Sequence, residues 1–476
     1  MECLRREYLL CEHSGRKTTE NFKSDFCGVT HQKESCFLHY LRAKFVGDVQ
    51  FFSHQIRTPP QWHSQIHPLR TMVYNHTFPE NVTLPLYALY PNLGTAYYVT
   101  PLIHQVMPQE TQIIYSPFAI LLSLCLAALG ASGNSYDEIQ SRFVCQPENV
   151  KYFLEAMRNE SNAFSVTNAM FPSTDYSLTS DFADYSSQNY APHIEKFDYY
   201  SNVPDGRSKF NQRVKELTDN HLKHGLVAES HDGSTLYTDG SEETLAADTS
   251  NVLVSGMWVD NQWLYPFPAY LLAKGNFSKI RREDDVEVQE QVETTYMRSY
   301  AERLFRVADY GDGIEGISLP MATEGLEMII VKPTNHSFEA LSQAEDRFFS
   351  YDDHNSTWKV YNRIELPRFK VESVFDMKPR LKRVGIQEAF DTLLADFSMM
   401  FTTRSLLSHV FTWSSLSVNE NGIHGAYIPE TIEFPVIEIP KEAKRHSFVV
   451  DGPFLVSVRY FDETLLEARI LEPEGT

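Results

Sequence analysis

Apolar residues are distributed unevenly along the chain, and the change occurs near residue 93. Residues 1–92 contain many Pro, His and Gln side chains but no long segment of periodic hydrophobicity. From residue 93 onward, apolar positions are dense and recur with the spacings of helices and strands. We therefore predict an N-terminal extension over residues 1–92 and one large folded domain over residues 93–476.

A buried helix is the clearest single element of the predicted domain. Residues 120–129 are apolar on nearly every side, which is typical of a helix surrounded by core. The helix should begin after Ser116-Pro117, a capping residue followed by a first-turn proline, and end at Gly130. Amphipathic patterns predict further helices at residues 179–190 and 208–223.

Five segments rich in Val, Ile, Phe and Tyr are typical of β-strands. They cover residues 251–259, 316–319, 326–331, 360–370 and 454–460. Because helices and strands do not alternate strictly, the order of elements favours an α+β domain. An acidic stretch rich in Gly, Ser and Thr over residues 232–248 indicates an exposed insertion.

Composition and charge exclude several classes of function. The 476-residue chain is 42% hydrophobic and 13% aromatic, which is enough for a folded core. Its formal net charge of -21 argues against nucleic-acid binding, because that binding needs clustered Lys and Arg. Apolar runs are shorter than the roughly 18 residues that a membrane helix needs, so we expect no membrane partner.

Six Asn-x-Ser/Thr triplets and six cysteines bear on cellular location. The triplets favour secretion, and we expect an extracellular glycoprotein, although the short apolar stretch at residues 8–11 does not match a secretory signal. Cys125 lies in the predicted buried helix and is expected to be a small buried hydrophobe. The four N-terminal cysteines would form a disulfide-tied segment or remain free thiols: Cys3, Cys11, Cys27 and Cys36. The six candidate glycosylation sites are Asn75, Asn81, Asn159, Asn276, Asn335 and Asn355.

Motifs for catalysis and metal binding lead to negative predictions. Residues 311–316 fit the pattern G-x-G-x-x-G, but a strand pattern follows them, which favours a hairpin turn over a dinucleotide site. His63 and His67 are four residues apart, but the prolines around them preclude a helix that would place both on one face. We therefore expect no enzyme activity, no cofactor and no metal.

Seven segments in a fixed order resemble the serpin family of serine protease inhibitors. They lie at 116–133, 167–171, 252–267, 366–370, 385–398, 452–455 and 468–473. The resemblance implies an α+β serpin fold with three β-sheets, one of them a large central sheet, and about eight or nine helices. It also implies an exposed reactive-centre loop over residues 423–440 and burial of Trp263 and Phe267 beneath the main sheet.

The resemblance implies inhibition of a serine-type endopeptidase by a suicide-substrate loop, which inserts into the main sheet after cleavage. Counting forward from Gly422 with the usual loop length places the scissile bond at Val436–Ile437, which suits an elastase-like protease. Counting back from Pro453 places it near Lys441–Glu442, which would suit a trypsin-like protease.

The hinge of this loop departs from the family pattern. Inhibitory members have small residues after the hinge glycine, because alternate side chains become buried on insertion. Tyr427 is bulky there, and overpacking typically costs about 1–3 kcal/mol, while Pro429 lacks the N–H that a central strand needs. These features predict weak or lost inhibition. The hinge positions are Glu420, Gly422, Ile423, Gly425, Tyr427 and Pro429.

A second departure lies at the shutter beneath the main sheet, where Ser255 and Thr412 replace the usual Asn and His. Their shorter side chains cannot form the usual hydrogen-bond network unchanged. The stretch between residues 139 and 167 leaves little room for the helix that some serpins use to bind heparin, so heparin binding is not expected. The alternative function is that of a non-inhibitory serpin that carries a small molecule or hormone or binds another protein. We expect a monomer under either function.

Overall fold

The structure is a computed structural model, and the residues that it describes belong to the second of two units of the chain, Val82–Thr476. The predicted extension 1–92, its four cysteines and most of the predicted insertion 232–248 lie outside the described residues. The described residues are 95, 99–159, 163–200, 203–218, 222, 226, 245–246, 248–349, 356–423, 439, 441–461 and 463–473.

Eight α-helices occur within the described residues: α1 Thr100–His104, α2 Pro117–Gly130, α3 Gly133–Arg142, α4 Pro147–Asn159, α5 Ser180–Asn189, α6 Val203–Leu217, α7 Phe338–Phe349 and α8 Lys378–Arg383. Helix α2 begins as predicted, because the Ala119 N–H donates to Ser116 Oγ at 3.0 Å. Helix α4 is 13 residues long, so the stretch between residues 139 and 167, which was expected to leave little room for a full helix, holds one.

The strands in chain order are β1 Ile113–Tyr115, β2 Phe164–Pro172, β3 His193–Ile194, β4 Asn251–Val259, β5 Asn261–Gln262, β6 Ala273–Glu283, β7 Val286–Ser299, β8 Arg303–Gly311, β9 Ile314–Pro320, β10 Leu326–Pro333, β11 Thr357–Pro367, β12 Phe369–Asp376, β13 His409–Asn419, β14 Gly422–Ile423, β15 Arg445–Val449, β16 Phe454–Tyr460 and β17 Glu463–Ile470. The predicted strand 360–370 is two strands, because the chain leaves one sheet at Pro367 and enters another at Phe369. The glycine motif at 311–316 is the β8–β9 hairpin, as predicted, with positive φ at Gly311 and Gly313.

The strands form two hydrogen-bonded networks. The seven-stranded main sheet has the order β3-β2-β4-β13-β14-β5, with β12 on the other edge of β13. The ten-stranded network has the order β1-β17-β16-β10-β9-β8-β11-β7-β6, with β15 beside β11. Strand β11 pairs with β8 through residues 357–361 and with β7 through residues 364–367, so this network divides into two sheet regions. The predicted α+β fold with a large central sheet is confirmed.

Helix α2 lies in the core between the two networks, where it contacts β4 of the main sheet and β17 of the larger one. The other face of the main sheet packs against α6 and forms a separate apolar cluster with Phe210 and Val214. Cys125 of α2 forms a disulfide with Cys145, with a Cα–Cα distance of 5.2 Å. Cys125 is buried, as expected, but its disulfide was not predicted, and that bond ties α2 to the segment between α3 and α4.

Charged side chains are also buried in the larger network. Arg469 forms an ion pair with Glu345 of α7, including a contact of 2.8 Å between Nη2 and Oε2. On the same strand, Glu467 is 1% exposed, and the Ser457 hydroxyl donates to its Oε1 at 2.9 Å. Burial raises the pKa of Glu467 to about 8, so this carboxyl group is largely protonated at neutral pH.

Candidate functional site

The hinge begins as a two-residue β-hairpin at the end of β13. Val418 pairs with Ile423 and Asn419 with Gly422, so the chain reverses direction through Glu420 and Asn421 alone. The side chain of Asn419 stabilises this turn, because its Oδ1 accepts the N–H of Asn421 at 2.8 Å and that of Gly422 at 3.3 Å. The turn therefore directs the chain after β13 back into the main sheet.

Strand β14 occupies a place between β13 and β5, where Gly422 pairs with Gln262 and Ile423 with Asn261. A Cβ atom at Gly422 would lie 2.1 Å from the carbonyl oxygen of Asn261, so this close approach requires glycine. Ile423 is fully buried and joins the main core. This corrects the expectation of an exposed loop from residue 423, because the apolar Ile423 side chain gains burial when its backbone pairs in the sheet.

Three hydrogen bonds from the segment after β5 hold the hairpin in place. The indole Nε1 of Trp263 donates to the carbonyl oxygen of Asn419 at 2.8 Å. The backbone N–H of Trp263 donates to the carbonyl oxygen of Asn421 at 3.0 Å. The N–H of Phe267 donates to the carbonyl oxygen of Glu420 at 3.0 Å. Both aromatic side chains are buried, as predicted, and their rings contact each other edge to face.

An ion pair adds a side-chain contact to the turn. Arg368, which lies between β11 and β12, donates to Glu420 Oε2 through Nε at 2.9 Å and through Nη2 at 2.5 Å. The arginine side chain is 35% exposed, so this pair is screened by solvent and contributes about 1 kcal/mol at most. It fixes the direction in which the chain approaches β14.

Below β14, strands β4 and β13 pair directly, residues 252–257 with residues 409–414, and we call this contact the seam. Trp413 lies opposite Gly256, and a Cβ atom on that glycine would be 2.0 Å from the indole Nε1. The Trp413 ring is 5.5 Å from the ring of Trp258 and fully buried in the cluster beneath α6. The indole of Trp413 therefore spans the seam and closes it on its outer face.

On the inner face of the seam, Ser255 and Thr412 lie side by side in the β4–β13 register. Both are buried, and neither Ser255 Oγ nor Thr412 Oγ1 has a hydrogen-bond partner among the residues that the structure describes. Asn168 of β2 continues the same row, because it pairs with Ser255. An unpaired buried hydroxyl group costs about 1–3 kcal/mol, so the shutter of this chain is poorly bonded.

The C-terminal end of the loop is described from residue 441 onward. Lys441 and Glu442 are exposed in a turn before β15. Arg445 Nη1 donates to the carbonyl oxygen of Lys441 at 2.7 Å, and its Nε contacts Glu302 at 3.0 Å. The other predicted loop residues lie outside the described residues: Gly425, Tyr427, Pro429, Val436 and Ile437.

Two predicted glycosylation sites can be located. Asn276 is exposed on β6, and Asn335 is exposed in the turn between β10 and α7. The third residue of the second triplet, Ser337, accepts the Ala340 N–H at 3.1 Å as the cap of α7. The remaining sites, or their side chains, lie outside the described residues: Asn75, Asn81, Asn159 and Asn355.

Other binding features are limited in the described part of the chain. The cations of α4 are Lys151 and Arg158, and the same helix carries Glu148 and Glu155, so the absence of heparin binding stays a prediction. None of the described helices is long and apolar enough to cross a membrane. Among residues 99–473 without the undescribed gaps, no three His, Cys, Asp or Glu side chains are grouped as metal ligands.

Comparisons with known proteins agree on one family. The model of the family described as Serpin (serine protease inhibitor) matches residues 98–466. Serpin B5 of Rattus norvegicus is 25% identical over 388 residues, which are 77% of this chain and 95% of the relative. Human Serpin B8 is 23% identical over 359 residues, which are 73% of this chain and 89% of the relative.

Solved structures show the same fold. Serpin48 of the insect Tenebrio molitor has a TM-score of 0.64 at 24% identity, and the match covers 80% of this chain and 98% of that one. Uncleaved ovalbumin has a TM-score of 0.64 at 18% identity and covers 80% of this chain and 100% of its own. Human thyroxine-binding globulin has a TM-score of 0.62 at 17% identity, over 80% of this chain and 98% of its own.

Proposed function

The chain belongs to the serpin family, and we propose that it presents its loop to a serine endopeptidase as a suicide substrate but traps that protease inefficiently. The observation that supports low efficiency is the closed seam, where Trp413 covers Gly256. A family member that traps must open this contact, because the cleaved loop becomes a new strand between β4 and β13.

Trapping is a race between strand insertion and hydrolysis of the acyl-enzyme by water. Neighbouring strands lie about 4.8 Å apart, so insertion of one strand moves β13 to roughly twice that distance from β4. The movement separates Trp413 from Gly256 and from Trp258, and it exposes the cluster beneath α6 while the seam is open. We infer that these losses slow insertion and that most encounters end in a cleaved chain.

For the scissile bond we propose Val436–Ile437 and an elastase-like protease. A serine protease binds the scissile carbonyl oxygen in its oxyanion hole. The carbonyl oxygen of Lys441 is already hydrogen-bonded to Arg445, which Glu302 holds in turn. Cleavage at Lys441–Glu442 would first have to break these contacts, which favours the bond nearer to Gly422.

For location we propose secretion of a monomeric glycoprotein. The disulfide between Cys125 and Cys145 supports this proposal, because disulfides persist in oxidising compartments and are rare in the cytosol. The exposure of Asn276 and Asn335 is compatible with glycans on both. Peptide-N-glycosidase treatment of secreted protein should shift its mass, and an unmodified intracellular product would contradict the proposal.

The decisive experiment treats the full chain with an elastase-like, a chymotrypsin-like and a trypsin-like protease. We expect mainly chain cleaved at Val436–Ile437 with the elastase-like protease, and a minor SDS-stable covalent complex; intact mass measurement locates the bond. A complex as the main product would contradict inefficient trapping. Cleavage without any complex would favour a non-inhibitory serpin, and cleavage after Lys441 would exclude the proposed bond.

A further inference from the structure

An apolar surface segment follows β5 and lies next to the hinge turn. Residues 264–272 contain no charged side chain. Tyr270 is 85% exposed, the largest fraction among the large apolar side chains that the structure describes, and Pro266 and Ala269 are exposed as well. Contiguous apolar surface of this kind usually marks a contact with another molecule.

This segment is held in one conformation by its own contacts. The N–H of Leu271 donates to the carbonyl oxygen of Pro268 at 2.9 Å, and the guanidinium group of Arg303 lies 4.1 Å from the ring centroid of Tyr265. The buried Phe267 bonds the segment to the hinge turn. Because the exposed side chains are already ordered, a partner would bind them at a low cost in conformational entropy. We call these side chains the aromatic platform: Tyr265, Pro266, Pro268 and Tyr270.

Two lysines lie side by side at the other end of the loop. Strands β11 and β15 are parallel and pair Val360 with Arg445, so Lys359 and Lys444, one residue earlier, are neighbours. Burial lowers the pKa of His446, and the positive charges of both lysines lower it further. Neither lysine forms an ion pair with a carboxylate in the part of the chain that the structure describes. We call Lys359 and Lys444 the cation pair.

Acidic side chains around the cation pair act mainly on other groups. Glu302 is bound to Arg445 at 3.0 Å, and Glu442 acts on the same arginine. Glu315 opposes the effect of the lysines on the pKa of His446. Like charges at neighbouring positions repel each other. The cation pair is therefore a local site of positive charge on a chain of net charge -21, and it suits an anionic partner.

A row of aromatic rings connects the aromatic platform with the cation pair. The ring centroids of Tyr265 and Phe305 are 6.1 Å apart, and those of Phe305 and Tyr361 are 6.3 Å apart. The ring of Tyr361 is 5.7 Å from that of His446. The platform is bonded to the hinge turn, where the loop begins, and the cation pair lies at the start of β15, where the loop ends. A molecule that binds across the loop therefore faces both features.

We propose that the aromatic platform and the cation pair form a docking surface for the serine endopeptidase that attacks the loop. They favour a protease that has an apolar patch and acidic side chains beside its active-site cleft. The protease is the occupant because both features flank the segment that it must bind. This inference rests on the proposed function, since it requires a protease that cleaves the loop. The platform slows dissociation, and the cation pair accelerates association by electrostatic attraction.

The test measures kcat/KM for loop cleavage in the full chain, with whichever of an elastase-like, a chymotrypsin-like and a trypsin-like protease cleaves it fastest. Tyr270→Ala should lower kcat/KM about tenfold, as the loss of an exposed aromatic anchor does. Lys359→Gln with Lys444→Gln should lower it about fivefold at about 0.02 M salt and leave it unchanged at about 1 M salt. Both variants leave the sequence of the loop intact.

Two control variants carry matched changes outside the docking surface. Tyr200→Ala removes a tyrosine that is 77% exposed, and Lys151→Gln with Lys209→Gln removes two exposed lysines from α4 and α6. Neither control should change kcat/KM.

Three outcomes would overturn the proposal. If the loop is cleaved but Tyr270→Ala and the double lysine variant are cleaved at the parent rate, the docking surface alone is wrong. If no protease cleaves the parent loop, the proposed function is wrong and the docking surface loses its occupant with it. If size-exclusion chromatography shows a dimer of the parent that Tyr270→Ala dissociates, the platform binds a second copy of the chain instead of a protease.

Discussion

Replacement of Trp413 by alanine should convert this chain into a more efficient trap. The native state loses a fully buried indole, and such a truncation costs about 3–5 kcal/mol of unfolding free energy. If the transition state for strand insertion has already lost half of the packing around Trp413, the substitution destabilises that state by only half as much as it destabilises the native state. The barrier to seam opening then falls by about 1.5–2.5 kcal/mol, which corresponds to a rate increase of roughly tenfold or more.

The assay measures the ratio of covalent complex to cleaved chain after complete reaction with an elastase-like protease. For Trp413→Ala this ratio should rise roughly tenfold, while circular dichroism records a lower melting temperature of the uncleaved chain. Trp358→Ala is the control, because Trp358 is 47% exposed on β11 of the ten-stranded network, whereas the seam lies in the main sheet. A variant with lowered melting temperature and an unchanged ratio would refute the argument. In that case Ser255→Asn with Thr412→His would test the shutter as the limiting step.

Three further predictions concern other parts of the chain. Tyr427→Ala with Pro429→Ala should increase the yield of covalent complex on SDS gels, because small side chains and a restored N–H suit a central strand. An unchanged yield would show that these two residues do not limit trapping. Cys125→Ala with Cys145→Ala should lower the unfolding free energy by about 3 kcal/mol in thermal or denaturant unfolding, and the variant should no longer respond to dithiothreitol as the parent does. The pKa of Glu467 rises from 4.5 in the unfolded chain to about 8 in the folded chain, so the folded chain holds more protons between these values and loses stability as pH rises through this window. Glu467→Gln should therefore make the melting temperature less dependent on pH between about 5 and 8. An equally steep pH dependence in the variant would assign the effect to another group.

Local patterns predicted the elements whose signal lies within one segment. Helix α2 was predictable because a capping serine, a proline and a uniformly apolar run coincide, and β10 because its residues are mainly β-branched or apolar. The contact of Trp413 with Gly256 depends on the register of two strands more than 150 residues apart along the chain, which no local pattern contains. A glycine inside the apolar strand β4 was the available signal, since glycine in a strand often marks a close approach.

The sequence proposed the candidate hinge and shutter residues but not their conformation, and their roles in trapping stay predictions. The residues of the hinge and shutter could be numbered from the family resemblance, and the structure places Ser255 beside Thr412. The burial of Ile423 differs from the predicted exposed loop over residues 423–440, because an apolar side chain at the start of that segment gains burial when its backbone pairs in the sheet. The disulfide was missed because Cys145 follows a helix boundary that the sequence pattern did not reveal.

The short hairpin at Glu420 and Asn421 fixes the pairing register of any strand that follows it. Antiparallel pairing of Val418 with Ile423 fixes the phase, so continuation of β14 along β13 would set Tyr427 opposite Ser414 and Pro429 opposite Thr412. The two unsuitable hinge residues would thus arrive beside the shutter itself. Substitutions at the hinge and at the shutter should therefore be energetically coupled, and a double-mutant cycle should show non-additive effects on trapping.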